Sequence, residues 1–153
     1  MEDAHVIHTK DNWGFFGIFD GHGGHQCSKF MARRIQEELA INGMPDTDDE
    51  VMDLAFRLER EFLVSNQPSG STGTFIIIQA PTVPGGKYRL RVGNVGDSRI
   101  LLGHANGSIF HGPGTDYGLT TDPMSNVKPR ANVGELAGGL VGNVRIFYTG
   151  MMI

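Results

Sequence analysis

The chain has 153 residues, 39% of them apolar and 20% charged, with a formal net charge of −4 at pH 7. That length is enough for one domain with a sizeable core, the composition excludes a disordered chain, and the acidic balance with scattered basic residues excludes an electrostatic nucleic-acid binder. Cys27 is the single cysteine, which excludes an internal disulfide and a cysteine zinc cluster.

Taken in chain order, Trp13 to Phe19 predicts a strand, dense in aromatic and branched residues. After a glycine turn at Gly23-Gly24, Cys27, Phe30, Met31, Ile35 and Leu39 recur at helical spacing. Lys29, Arg33, Arg34, Glu37 and Glu38 occupy the opposite face, so an amphipathic helix is expected, ended by Gly43 and Pro45. Thr47-Asp48-Asp49-Glu50 has the form of a capping box, and Val51, Leu54, Ala55, Leu58 and Phe62 follow as a second helix. From Ser69 the period changes: Thr72 to Ala80 predicts a buried strand, Pro81 to Lys87 a turn, and Tyr88, Leu90 and Val92 alternate with Arg89 and Arg91. Ile100 to Leu102 and Ile109-Phe110 flank Asn106-Gly107, a dipeptide suited to a type I′ hairpin. Gly112 to Gly118 is turn-rich, the prolines of Asp122-Pro123 to Pro129 disfavour regular structure, and Asn132 to Leu136 predicts a short helix. The tail, Val144 to Ile153, is apolar, carries no charge beyond Arg145, and calls for a covering partner outside the chain. One strand, two helices and a strand meander predict α+β layers, with the 22 glycines gathered at strand ends and turns.

The longest apolar runs, such as Phe75-Ile76-Ile77-Ile78, are too short to span a bilayer, so no membrane partner is expected. Met1-Glu2-Asp3-Ala4-His5 is polar and acidic, unlike a secretory signal, and a soluble cytoplasmic or nuclear protein is expected.

Two aspartates carry the chemistry. Asp20 closes Phe16-Gly17-Ile18-Phe19-Asp20-Gly21-His22-Gly23-Gly24, and Asp97 closes Val92-Gly93-Asn94-Val95-Gly96-Asp97. In each, a buried strand delivers a carboxylate to an edge where the backbone turns, the kind of oxygen donor that Mg²⁺ or Mn²⁺ requires. A tight turn at Gly21 would leave its carbonyl as a second ligand, and His22 would stand beside the metal, able to protonate a leaving oxygen. Alone, an Asp-Gly-His triplet is a turn with an exposed histidine; the aromatic strand before it and the double glycine after it favour the functional reading. Gly96-Asp97-Ser98 alone is ordinary turn chemistry, and Glu2-Asp3 alone reads as solvated acids. Ser69-Gly70-Ser71-Thr72-Gly73 is either a backbone cradle for phosphate or a small-residue lead-in to a strand. His5, His8, His25, His104 and His111 read as surface residues.

As an ordered set, these segments resemble one family. Met1-Glu2-Asp3, Phe16 to Gly24, Ser69 to Gly73, Asn94 to Arg99, Leu119-Thr120-Thr121-Asp122 and Ala137-Gly138-Gly139-Leu140-Val141 are similar to the motif series of metal-dependent serine/threonine protein phosphatases of type 2C. The resemblance implies a β-sandwich flanked by helices in α-β-β-α layers, with a binuclear Mn²⁺ or Mg²⁺ site between the sheets. It implies that Asp20 bridges both metals, that the Gly21 carbonyl binds one, and that Glu2 acts through coordinated water supported by Asp3. It further implies Asp97 at a weaker metal position, His22 as the general acid, and Thr72 as a structural neighbour. The reaction implied is hydrolysis of phosphoserine and phosphothreonine in phosphorylated protein substrates by a metal-activated water.

The chain also departs from that pattern. An arginine is expected a few residues before Met1, Pro123-Met124-Ser125 stands where the family has His-Lys-Pro, and a glutamate and an arginine are not in place before Ala137. After Val141 the family continues to two further metal-binding aspartates, whereas this chain runs Asn143 to Ile153. Residues 1–153 are therefore expected to form the incomplete N-terminal portion of a catalytic domain, with open sheet edges through which it self-associates. The alternative is a catalytically inactive pseudophosphatase that binds phosphoproteins or another partner.

Overall fold

The computed structural model describes residues 1–98 and 100 in full, together with the backbone of three further strands. The elements are β1 (Ala4–Lys10), β2 (Trp13–Phe19), β3 (Gly21–His22), α1 (Gln26–Asn42), α2 (Asp48–Val64), β4 (Gly70–Ser71), β5 (Gly73–Gln79), β6 (Tyr88–Val95), β7 (Leu101–Gly103), β8 (Ile109–His111) and β9 (Val141–Thr149). Five of the strands form one sheet in the order β1-β2-β5-β6-β9, antiparallel throughout except for the parallel β6–β9 pair. β3–β4 and β7–β8 are separate two-stranded ribbons. The α+β class is as expected, with the two helices on one face of the main sheet. Among the described residues no helix is long and apolar enough to cross a membrane.

Alternation along β2 explains the layering. Phe15 and Phe19 point to the helices and are buried, while Ile18 between them is 62% exposed on the other face. The helices answer with period-3.6 stripes: Cys27, Met31, Ile35 and Leu39 from α1, and Val51, Leu58 and Phe62 from α2. Val6, Ile77 and Val95 complete this core from the strands. The opposite face leaves Ile7 and Ile18 exposed.

The capping box is present: Thr47 Oγ1 accepts from the Glu50 N–H and Glu50 accepts from the Thr47 N–H, each at 3.2 Å. The sheet holds the start of α2 through Arg91. Its guanidinium donates to the Pro45 carbonyl at 2.7 Å and the Asp46 carbonyl at 2.6 Å, and pairs with Asp48 at 3.2 Å. A charged network joins the helices. Glu38 accepts from Arg57 at 2.7 and 2.9 Å, from Arg34 at 3.1 Å and from Asn42 at 2.8 Å, and Arg34 also pairs with Glu61 at 2.9 Å.

The structure differs from expectation at four points. β1 is a strand that patterning does not announce, because only Val6 of its seven residues is buried. His8 is not a surface residue: it is half-buried and stacks on Trp13 with ring centroids 5.3 Å apart. The apolar tail includes a strand that patterning does not announce, Val141–Thr149 (β9), whose backbone pairs with β6. The predicted strand over 72–80 also starts one residue later, Ser71 belonging to the β4 ribbon. The predicted Asn106-Gly107 turn, the features placed between residues 112 and 140, and the last four residues lie outside the described residues.

Hydrogen bonds from Arg57, above all, hold the Glu38 carboxyl down to about 2 from an ordinary 4.5, despite its burial. A depressed carboxyl adds stability that is fully present above about 4.5 and is lost as pH falls through about 2. In urea unfolding followed by circular dichroism, Glu38→Gln should be less stable by roughly 1–3 kcal/mol at pH 7. The difference should close between about pH 4.5 and pH 2; an unchanged difference at the acid end would rule out the charge as its source.

Candidate functional site

The register of the main sheet gathers the candidate residues at one end. Ala4 pairs with Phe19, so Glu2 and Asp3 approach the point where Asp20 leaves β2. Ile18 pairs with Thr74, which sets Asp20 beside Thr72, and Gly73 pairs with Val95, which brings Gly96-Asp97-Ser98 to the same end. Four segments far apart in sequence thus converge, with the carboxylates of Glu2, Asp3, Asp20 and Asp97 and the imidazole of His22 all exposed there.

Buried neutral groups hold the backbone beneath these exposed side chains. The Thr72 N–H donates to the Asp20 carbonyl at 2.9 Å, and the Asp20 N–H donates to Thr72 Oγ1 at 3.3 Å. Thr72 Oγ1 also lies 3.0 Å from Ser98 Oγ, which links the segments of Asp20 and Asp97 through one hydroxyl. The Ser71 hydroxyl, fully buried, donates to the Thr72 carbonyl at 2.7 Å and reaches the Asp20 carbonyl at 3.3 Å. Asn94, buried in β6, accepts from Thr74 Oγ1 at 2.9 Å and donates to the Gly96 carbonyl at 3.3 Å. Gly96 has φ of 93°, a left-handed conformation that suits glycine and turns the chain toward Asp97.

Gly21 does not make the expected tight turn. It pairs with Ser71 in the β3–β4 ribbon, and the turn follows at Gly23 and Gly24, with φ of 67° and 129°. Glycine is needed at 21 for space: a Cβ there would collide with the Glu2 carbonyl and lie 2.9 Å from Ser28 Oγ. Ser28 is itself wholly buried on α1 and donates to that Glu2 carbonyl, so it fastens the segment carrying Glu2 and Asp3. Ser69 resolves the reading of its segment as structural at that position: its hydroxyl accepts from the Cys27 N–H at 3.0 Å, covering a donor at the start of α1, where His25 provides no side-chain cap.

The donors at this end are hard oxygens, which fit Mg²⁺ or Mn²⁺ in kind. Among the described residues, however, no three His, Cys, Asp or Glu side chains gather closely enough to enclose an ion. Cys27 is no nucleophile: burial, with the Glu59 charge adding, pushes its thiol up to about 11. Sequence reasoning missed Ser28, Asn94 and Ser98. Ser28 left a trace as a small polar residue on the apolar stripe of α1, and Asn94 as a lone amide within an apolar strand.

Comparison with known proteins gives a consistent result. The family model described as Protein phosphatase 2C matches residues 1–122. The chain is 28% identical to Protein phosphatase 2C homolog 1 of Saccharomyces cerevisiae, over 95% of this chain and 56% of that protein. It is 35% identical to Probable protein phosphatase 2C 35 of Arabidopsis thaliana, over 66% of this chain and 30% of that one. Among solved structures it resembles a phosphatase from a pathogenic strain of Toxoplasma gondii, with a TM-score of 0.56 and 21% identity, over 72% of this chain and 47% of the other. The chain therefore spans about half, or less, of the length of these relatives.

The close approach at Gly21 carries a prediction. Gly21→Ala should destabilise the chain by roughly 1–3 kcal/mol through overpacking, and Ser28→Ala by about 1 kcal/mol through the lost hydrogen bond. Urea unfolding measures both; wild-type stability in Gly21→Ala would show that the Glu2 carbonyl does not pack there.

Proposed function

The chain belongs to the protein phosphatase 2C family, and from that premise we propose that it hydrolyses phosphoserine and phosphothreonine in phosphorylated proteins. The observation that most supports this reading is the convergence of three separate segments, those of Glu2-Asp3, Asp20-Gly21-His22 and Asp97, which bring four carboxylates and the imidazole to one end of the sheet. Asp20, Asp97, the Gly21 carbonyl and, through coordinated water, Glu2 would hold the divalent cations, Mn²⁺ or Mg²⁺, with Asp3 supporting that water. When bound, such ions supply a water that ionises near neutral pH and offset charge on the phosphoryl oxygens.

The remaining work falls to the chain's own residues. His22 donates a proton to the departing serine or threonine oxygen, which would otherwise leave as a poor alkoxide. Thr72 holds the backbone amide of Asp20, so the carboxylate rides on a fixed support. Exposure of Asp20 and His22 leaves room for a phosphorylated segment of another protein. No side-chain nucleophile is required, in keeping with the inert Cys27.

A second reading is a non-catalytic module that binds phosphoproteins. What favours it is the lack, among the described residues, of any three acidic, histidine or cysteine side chains drawn together.

The two readings separate in one experiment on the purified chain, using a phosphoseryl peptide with Mn²⁺, with excess EDTA, and with the variant Asp20→Asn. Phosphatase chemistry predicts turnover with Mn²⁺, none with EDTA, and a loss of about 10²–10³-fold in the variant. Calorimetry should in parallel show weaker Mn²⁺ binding by Asp20→Asn. Peptide binding without turnover would establish the second reading instead.

A further inference from the structure

We propose that Gly70 is a positioning residue for His22, and that the missing side chain at position 70 is the seat of the imidazole. In the β3–β4 ribbon His22 pairs directly with Gly70. The three atoms nearest to a Cβ built on Gly70 all belong to the His22 ring: Nε2 in outright overlap, Cε1 at 2.7 Å and Cδ2 at 3.1 Å. The ring therefore fills the volume that a side chain at 70 would take. Backbone conformation does not explain this glycine, because Gly70 is not among the residues of positive φ.

The seat is rigid on both sides. Ser69 is held by the Cys27 N–H at 3.0 Å, and Ser71 is buried and bonded to the Thr72 carbonyl at 2.7 Å. Gly70 itself is buried, whereas His22 is exposed. A methyl group at 70 thus cannot be absorbed by the ribbon, and the ring must move. An exposed histidine would otherwise sample several rotamers; resting on Gly70 removes that freedom before any substrate arrives.

The catalytic meaning of the seat rests on the phosphatase reading. As the P–O bond breaks, its electron pair stays on the serine oxygen, which takes the imidazole proton, while water supplies the new oxygen on phosphorus. Misplacing a donor by about 1 Å costs on the order of 10²-fold. A nitrophenolate leaving group needs no such proton, so the two substrate types should respond differently.

The test combines Gly70→Ala, His22→Ala and the double variant, all in the full chain. NMR spectra of the wild type are expected to show through-space contacts between the His22 ring protons and the Gly70 α-protons, and Gly70→Ala is expected to shift the His22 ring resonances, with only a small loss of stability in urea because the exposed ring can swing aside. Absence of those ring contacts in the wild type would overturn the seat. With a phosphoseryl peptide, Gly70→Ala should lose about 10–100-fold in kcat; with 4-nitrophenyl phosphate it should change less than about threefold, and the double variant should be no slower than His22→Ala. Equal losses on both substrates would overturn the positioning role. Failure of the wild-type chain to turn over either substrate would sink the phosphatase reading alone, because the ring contacts decide the seat without any activity.

Discussion

The antiparallel register of β1, β2, β5 and β6 is the constraint on which everything else depends. Side chains in a strand repeat every two residues, so a slip of one residue would turn Phe15 and Phe19 out of the core and Ile18 into it. The hydrophobic pattern therefore fixes which residues lie opposite one another. The same pairing decides where each strand ends, and hence which loops meet. Asp20, Thr72 and Asp97 are neighbours because Phe19, Gly73 and Val95 are core-facing positions in adjacent strands. The site is a by-product of burying the sheet.

Polar groups do two different jobs in this fold. Between the helices, full charges meet: Glu38 collects Arg34, Arg57 and Asn42, and Arg91 reaches across to the start of α2. At the site end, the buried groups are neutral hydroxyls and one amide, from Ser28, Ser71, Thr72 and Asn94. The separation has a physical logic. A buried ion near exposed carboxylates would alter their charge state, whereas hydroxyls satisfy backbone donors and acceptors without adding a net field. The site residues thus stand on a frame of buried, neutral hydrogen-bonding groups.

Much of this was legible in the sequence. The helices declared themselves through Met31, Ile35 and Leu39 and through Val51, Leu58 and Phe62, and the Thr47–Glu50 box marked a boundary to the residue. The central strands were legible from their aromatic and β-branched runs. β1 was not, because an edge strand that buries only Val6 carries almost no periodic signal. β9 could be read as apolar but not as a strand beside β6, since parallel pairing with a partner about fifty residues away leaves no local trace. At the site, the acidic residues were legible as motifs. The role of Gly21 was not, because a glycine required by a neighbouring carbonyl looks the same in sequence as one required by a turn.

Among the described residues β1 has β2 as its one partner in the main sheet, and Val6 is its single well-buried side chain. Beyond its ladder to β2, β1 is held by Val6 in the core, by its packing on α1 and by the Ser28 bond to the Glu2 carbonyl, and opening of such a strand is expected below the free energy of global unfolding. Folding of the chain and assembly of the site are then two equilibria. A population can be fully helical and sheet-forming while a fraction of its molecules lacks Glu2 and Asp3 at the rim. Any ligand that engages those two residues closes that fraction and adds its binding free energy to the docking of the strand. β1 is in that sense part of the ligand's binding reaction as much as part of the scaffold.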